Sequence, residues 1–330
     1  MSASTHPALL VGVDTEADDQ WSEEGRRRLS VRNAERLPGL QELFDSFGVR
    51  PTYFVSHEMA ALEASAAILS SLGRNGRCEI GAHLHPWSCP PYRPEDLRGT
   101  YPSQLPDDLL ARQLRELTET IQGRLQVRPT SYRAGRHGFD KRSLPILESL
   151  GYRVDASIDP LFNETRKGGP SFAGAPVRPY HPDYQDVRRP GAAPLLEIPI
   201  SAGTCPPLPK ILERLYVSLP PLRFRPALRR LGLRPVWLRP SYAPLRDALP
   251  FADRLVRSGS PSLSVLFHSS EVSPGASPYH PDQVGVDTFL ENLKRLFAHL
   301  TERLGAVGRT HAEFAVEWRH GRKQAGEGER

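Results

Sequence analysis

At 330 residues the chain has room for one large α/β barrel or two small domains, and 38% hydrophobic with 25% charged residues excludes wholesale disorder. Lys and Arg are interspersed with Asp and Glu over most of the length, so the net charge of +5 argues against a nucleic-acid-binding protein. Three cysteines, Cys78, Cys89 and Cys205, an odd number without metal-type pair spacing, exclude a disulfide framework and favour a reducing compartment.

Residues 8–13 (ALLVGV) form a short apolar run that ends abruptly in Asp14, Glu16, Asp18 and Asp19, as a buried strand emptying into a polar loop does. Leu37, Leu40, Leu43, Phe44 and Phe47 recur at helical spacing before Gly48 and predict a helix over 35–47. A strand over 51–55, an Ala-rich helix over 58–72 and a strand over 78–82 follow, giving the order β-α-β-α-β. Beyond a Pro-rich loop, a long amphipathic helix covers 107–125, a strand leads into Arg133, and a short helix over 143–150 precedes strands at 152–156 and 195–200. Residues 207–239 and 245–257 read as largely helical but broken by prolines, 262–267 as a late strand and 286–304 as the last long helix. Alternating strands and helices imply a parallel sheet, and parallel sheets carry their ligand sites at the strand C-terminal ends. The predicted fold is a single α/β domain over 1–320, with the polar tail 321–330 disordered.

The N-terminal MSASTHPALLVGV lacks a basic n-region and a long apolar core, and no run approaches the roughly 18 apolar residues of a membrane span. The expectation is a cytoplasmic, unanchored protein. One stretch departs from the even charge distribution: Arg223, Arg225, Arg229, Arg230, Arg234 and Arg239 alternate with Leu, Phe and Trp237. It reads as a snorkelling helix-and-loop surface, the alternative being contact with an anionic group on a substrate.

The chemistry-bearing residues follow predicted strands. Asp14 and Glu16 are two apart at a strand end, so alternation aims both carboxylates to one side. His83 and His85, in Gly-Ala-His-Leu-His-Pro-Trp, have the same spacing in the same setting. A carboxylate with two imidazoles is a common catalytic metal set that leaves a coordination position for water. Trp87, Tyr92, Trp237 and Phe139 are candidates for stacking on a ligand or for the core. His137, His181 and His280 read as surface or packing residues.

Five segments between Leu9 and about Tyr279 resemble, in order and approximate separation, the motifs of the polysaccharide deacetylase family (NodB homology, carbohydrate esterase family 4). They are Val-Asp-Thr-Glu, Glu-Ile-Gly-Ala-His-Leu-His-Pro-Trp, Arg-Ala-Gly-Arg-His-Gly-Phe-Asp, Val-Asp-Ala-Ser-Ile-Asp-Pro and Val-Leu-Phe-His-Ser-Ser-Glu. The resemblance implies a distorted (β/α) barrel of about seven parallel strands and a hydrolase removing N-acetyl, or O-acetyl, groups from a sugar or polysaccharide precursor. It implies Glu16, His83 and His85 as ligands of a divalent ion, Zn2+ first, with Co2+, Ni2+ or Mn2+ as alternatives. Asp14 would be the general base, Arg133 the residue that orients it, and His268 the general acid. Asp155 or Asp159 would align His268. Two departures stand out: the family's His-x-x-x-His is here His-x-His, with Trp87 four beyond His83, and its adjacent Asp-Asp is Asp-Thr-Glu. The rival readings are a glycan-binding protein on this fold without turnover, separable by metal content, and a hydrolase of another small amide or ester, separable by a substrate panel.

Overall fold

The structure, a computed structural model, describes residues 6–74, 76–91, 100–218 and 225–327. Among the described residues there are ten strands: β1 Ala8–Thr15, β2 Thr52–Val55, β3 Glu79–Leu84, β4 Ser131–Ala134, β5 Val154–Asp155, β6 Leu196–Glu197, β7 Ala202–Cys205, β8 Arg234–Trp237, β9 Ser262–His268 and β10 Val307–Arg309. β9 pairs in parallel with all of β1 from Ala8 to Asp14, so β10 (opposite Ala8–Leu10) and β2 (opposite Gly12–Thr15) must share its other edge. Side by side the parallel strands run β9-β1-β2-β3-β4-β5-β6. This is the distorted (β/α) half-barrel of seven strands, with β10 in line below β2.

The circle closes without direct pairing of β6 to β9. Ser201 N–H donates to Ser264 O (3.3 Å), Ser264 N–H to Ser201 Oγ (2.9 Å), Leu238 N–H to Ser201 O (3.0 Å) and Leu266 N–H to Leu238 O (3.2 Å).

Strand alternation sorts the side chains into two faces. Leu9, Val11 and Val13 of β1, Ile80, Ala82 and Leu84 of β3, Tyr132 and Ala134 of β4, and Leu263, Val265 and Phe267 of β9 all point outward into one apolar layer under the helices. The helices Leu37–Ser46, Glu63–Arg74, Asp107–Leu125, Ser143–Ser149, Leu245–Arg257 and Gln283–Ala298 cover that layer. Each fully buried leucine there is worth about 1.5–3 kcal/mol. The opposite parity lines the barrel interior. Its lower end is plugged by Ala8, Leu10, Val154, Leu196 and Ile198 against Phe314 and Ala315 of the terminal helix His311–Glu327. Above lies Gly12, where a Cβ would sit 2.5 Å from Arg133 Nη2, so only glycine admits the guanidinium to the axis. Asp14 and Glu16 continue the same inward row.

Several sequence expectations are corrected. Residues 207–239 are not one broken helical run: helices Lys210–Ser218 and Arg225–Arg230 are followed by β8, because Arg-Pro-Val-Trp pairs antiparallel with β7. The Ala-rich helix breaks at Leu62 (ψ 130°) into His57–Ala61 and Glu63–Arg74. The last helix of the sequence reading ends at Ala298 and passes into a π turn, and residues 321–327 of the expected disordered tail continue the helix from His311. Among the described residues no helix is long and apolar enough to cross a membrane.

Candidate functional site

Parallel register places the functional side chains in one ring at the upper rim. Asp14 lies opposite His268 across the β1–β9 pair, and His83 lies opposite Arg133 across β3–β4. All share the inward parity of Gly12.

Glu16, His83 and His85 form the centre. His85 Nε2 is 2.5 Å and His83 Nε2 3.5 Å from Glu16 Oε2. One donor atom from each of the three lies within 4.8 Å of the others, and all three residues are buried. His83 Nδ1 faces Arg133 O at 2.9 Å; a carbonyl only accepts, so Nδ1 carries the proton and the Nε2 lone pair is free for a cation. The ring of His85 is held by stacking on Trp87, with centroids 4.3 Å apart and planes at 29°, and the Trp87 Nε1–H donates to Gln20 Oε1 (2.7 Å). Gly135 makes room for that ring, since a Cβ there would collide with His85 Nδ1 and Leu84 O.

The electrostatics suit a cation. Burial would raise Glu16, but His85, His268 and His83 outweigh it and hold the carboxyl well below the usual range. Burial lowers His85, against the pull of Glu16, keeping it neutral as a ligand requires; at His83 the attraction of Asp14 and Glu16 wins over burial and raises it. Two anionic carboxylates and two imidazoles therefore converge in a buried site, a donor set that fits zinc or a similar divalent ion.

Asp14 stands beside this set. Arg133, 0% exposed, donates through Nη1 to Asp14 Oδ1 (2.7 Å) and through Nε to Ala156 O (2.8 Å). Burial would raise the Asp14 carboxyl, but Arg133, His83 and His268 hold it at about 2. Oδ1 is engaged by Arg133; Oδ2 faces His268 Nε2 at 3.9 Å, the same distance that separates Nε2 from Glu16 Oε1.

Behind His268 the carboxylate is Glu271. His268 Nδ1 is 2.7 Å from Glu271 Oε1, which also accepts from the His268 backbone N–H (3.0 Å) and from Arg239 Nη2 (3.4 Å). Ser241 Oγ donates to the other oxygen, Oε2. His268 and Glu271 flank one 3-10 turn, three residues apart, so the pair is local in sequence. Burial alone would raise Glu271, but the hydrogen bond from His268 and the charge of Arg239 hold it at about 2.

Neither aspartate of the fourth motif touches His268. Tyr132, an outward residue, registers with Asp155, while Val154 takes the inward position. Asp155 thus points away from the barrel axis; it accepts from Ser157 Oγ (2.6 Å) and Ser157 N–H (3.2 Å) and registers with Glu197 across β5–β6. Burial raises both carboxyls. Asp159 reaches the cavity wall, accepting from Trp237 Nε1 (2.9 Å) and Leu161 N–H (2.9 Å), and burial pushes it up to about 6.

These groups floor a cavity of about 480 Å3, walled by Trp21, Trp87, Tyr101, Phe162, Trp237, Tyr242 and Tyr279. That volume admits a small ligand and the lining is aromatic enough to stack on sugar faces. Trp87 and Trp237 are at the wall as one of their two sequence readings has it; Phe139 is wholly buried in the core, and Tyr92 lies outside the described residues. His137, read from sequence as a packing or surface residue, also lines the cavity. Both Arg136 (φ 52°) and His137 (φ 58°) are left-handed, a conformation that costs a non-glycine residue on the order of 1 kcal/mol. It aims the His137 Nδ1–H at Ser157 O (2.9 Å), and burial depresses the imidazole to about 4. Asp18 does not join the ion site; it fixes the loop by accepting from Ser30 Oγ, Arg32 N–H and Asn33 N–H.

No protein-family model matches the chain. No curated protein matches it either. Solved structures do. A Mycobacterium smegmatis protein assigned as a polysaccharide deacetylase superposes with a TM-score of 0.54 at 15% identity, covering 98% of this chain and 94% of its own. A Parabacteroides distasonis protein assigned as a glycoside hydrolase/deacetylase gives 0.61 at 14% identity, covering 96% and 72%. At such identities the likeness establishes the fold: the chain has the barrel of polysaccharide deacetylases.

Proposed function

We propose that this protein is a metal-dependent deacetylase that hydrolyses the N-acetyl group of a sugar or glycan precursor. The observation that carries the reading is the meeting of Asp14 of β1 and Glu16 just past it, His83 of β3 and His85 just past it, and His268 of β9 on the floor of one aromatic-walled cavity. A divalent ion held by Glu16, His83 and His85 would polarise the acetyl carbonyl and lower the pKa of water to about 7. Asp14, kept ionised by Arg133 and with Oδ2 unengaged by that guanidinium, takes the proton from water at Oδ2. His268, its Nδ1–H donated to Glu271, presents Nε2 to the same space and, protonated there, gives a proton to the departing sugar amine. Glu271 takes the part that the fourth motif was expected to play: it fixes the tautomer and stabilises the imidazolium. Amide and water are converted to amine and acetate, with Asp14 and His268 restored by proton exchange with solvent. The aromatic wall orients the sugar ring by stacking.

The test is acetate release from a panel of N-acetylated and O-acetylated sugars by the zinc-loaded protein, beside Asp14→Asn and His268→Ala. Activity on at least one N-acetyl sugar that falls by ~10² or more in each variant is expected. Undiminished release in both variants would remove the mechanism, and release from O-acetyl sugars alone would reassign the bond.

A further inference from the structure

The chain's positive charge is concentrated in one segment, of which the site uses only the last residues, Trp237 and Arg239. Between residues 206 and 239 there are eight Lys or Arg (Lys210, Arg214, Arg223, Arg225, Arg229, Arg230, Arg234, Arg239) against the single acid Glu213, a net charge of +7. The whole chain carries +5, so the remaining 296 residues sum to −2. The described residues of this segment, 206–218 and 225–239, build a small lobe on the β7–β8 hairpin, whose own core is Leu161, Ala202, Tyr216 and Val217 with Leu208, Leu228 and Leu233 packed on it.

The outer face of that lobe is apolar. On the helix Lys210–Ser218, Tyr216 and Val217 turn inward while Ile211 (72% exposed), Leu212 (47%) and Leu215 (58%) face solvent. Positions i, i+1 and i+4 fall on one stripe of a helix. Leu231, just after the helix Arg225–Arg230, is 82% exposed. Exposed basic residues, Lys210, Arg214, Arg229 and Arg230, rim these apolar positions. An apolar stripe bordered by Lys and Arg is the composition of a surface that lies in the headgroup region of an anionic bilayer. The basic rim matches the charge of an anionic bilayer and the four aliphatic side chains give it apolar depth, which a nucleic acid would not use.

The lobe also abuts the cavity. Leu161 belongs to the lobe core and lines the cavity, and Asn163, another lining residue, donates through Nδ2 to Val217 O (3.2 Å) at the end of the exposed helix. Trp237 and Arg239 of the lobe's second strand and its continuation line the same cavity.

We propose that the outer face formed by the helices Lys210–Ser218 and Arg225–Arg230 with Leu231 is a membrane-docking surface that seats the protein peripherally on an anionic lipid bilayer, with the cavity opening beside the headgroups, as a substrate carried on a lipid would require. The test is cosedimentation of the full chain with vesicles of phosphatidylcholine alone and of phosphatidylcholine with phosphatidylglycerol. Binding to the anionic vesicles only, weakened by added salt, is expected. Each basic residue near such a surface strengthens binding about fivefold, so Arg229→Gln/Arg230→Gln should bind roughly 25-fold more weakly. Ile211→Ser/Leu215→Ser should lose binding by roughly tenfold or more, with its circular dichroism and melting unchanged. Because the substitutions lie outside the cavity, acetate release from a soluble sugar should not change, which separates failure of this proposal from failure of the hydrolytic one. Equal recovery in the supernatant with both vesicle types, or undiminished binding by both double variants, overturns the proposal. A concentration-dependent dimer abolished by Ile211→Ser/Leu215→Ser, without vesicle binding, would overturn it in favour of a second copy of the chain.

Discussion

Replacing Arg133 by methionine isolates the interaction that keeps Asp14 ionised. Both side chains are buried, Arg133 at 0% and Asp14 at 5% exposure, so solvent screens the pair little. An aspartate titrating at about 2 instead of its ordinary 3.8 is stabilised in its ionised form by about 2 kcal/mol. Because the carboxyl is depressed on folding, that stability is present above pH 3.8 and is lost as pH falls through about 2. Removing the guanidinium forfeits it and leaves a buried charge without a partner, which in such cases costs ~3–5 kcal/mol in total. Burial then dominates and raises Asp14, so the variant prefers the protonated carboxyl and recovers stability on acidification. The assay is urea unfolding of wild type and Arg133→Met with chelator present, from about pH 8 to about pH 5. The gap should be largest at the alkaline end and narrow toward the acid end, and Asp14→Asn added to Arg133→Met should restore part of the loss. A gap under about 1 kcal/mol, or one indifferent to pH, would refute the reasoning.

Glu16→Ala, His83→Ala and His85→Ala should each abolish stoichiometric zinc measured by atomic absorption, and a variant that keeps its ion removes that residue from the ligand set. Glu271→Gln should lower kcat by ~10² or more with KM nearly unchanged, and Glu271→Asp should recover part of it; a normal kcat in Glu271→Gln would leave His268 without need of its neighbour. Asp159 is raised from 3.8 to about 6 by burial, so it favours folding less as pH rises through about 6, by about 3 kcal/mol. Thermal melts of Asp159→Asn should lack that loss, and a wild-type curve flat over the same range would contradict the assigned cause.

The ring of the site was legible because it obeys a period of two. Asp14 and Glu16, and His83 and His85, each sit two apart and share the inward parity that Gly12 and Arg133 also follow. What escaped is set by register and by short elements. In Val-Asp-Ala-Ser-Ile-Asp-Pro nothing local says that Val154 rather than Asp155 takes the inward position; that depends on which residue of β4 lies alongside. Glu271 was visible in Phe-His-Ser-Ser-Glu, three beyond His268, and a capping Glu after a histidine was the available signal. β8 was hidden because Arg-Pro-Val-Trp has no alternation, and only pairing with β7 makes it a strand. His137 carries no motif, and two successive left-handed residues cannot be read from Arg-His.

The gap bridged by Ser201, Leu238, Ser264 and Leu266 divides the rim unequally. β1 grips β9 over seven consecutive positions, so His268 is fixed beside Asp14 as one block. Trp237 and Arg239 belong to the other bank, joined to β9 through Leu238 and Ser201 by three hydrogen bonds, and Arg239 also donates to Glu271 Oε1. Widening or narrowing of the cavity would therefore be taken up along this suture, with β1 and β9 staying together and the Arg239–Glu271 contact following the movement. A bulkier ligand would be admitted by stretching those three links, and the amide protons of Ser264 and Leu266 would exchange with solvent sooner than those of their β1 neighbours.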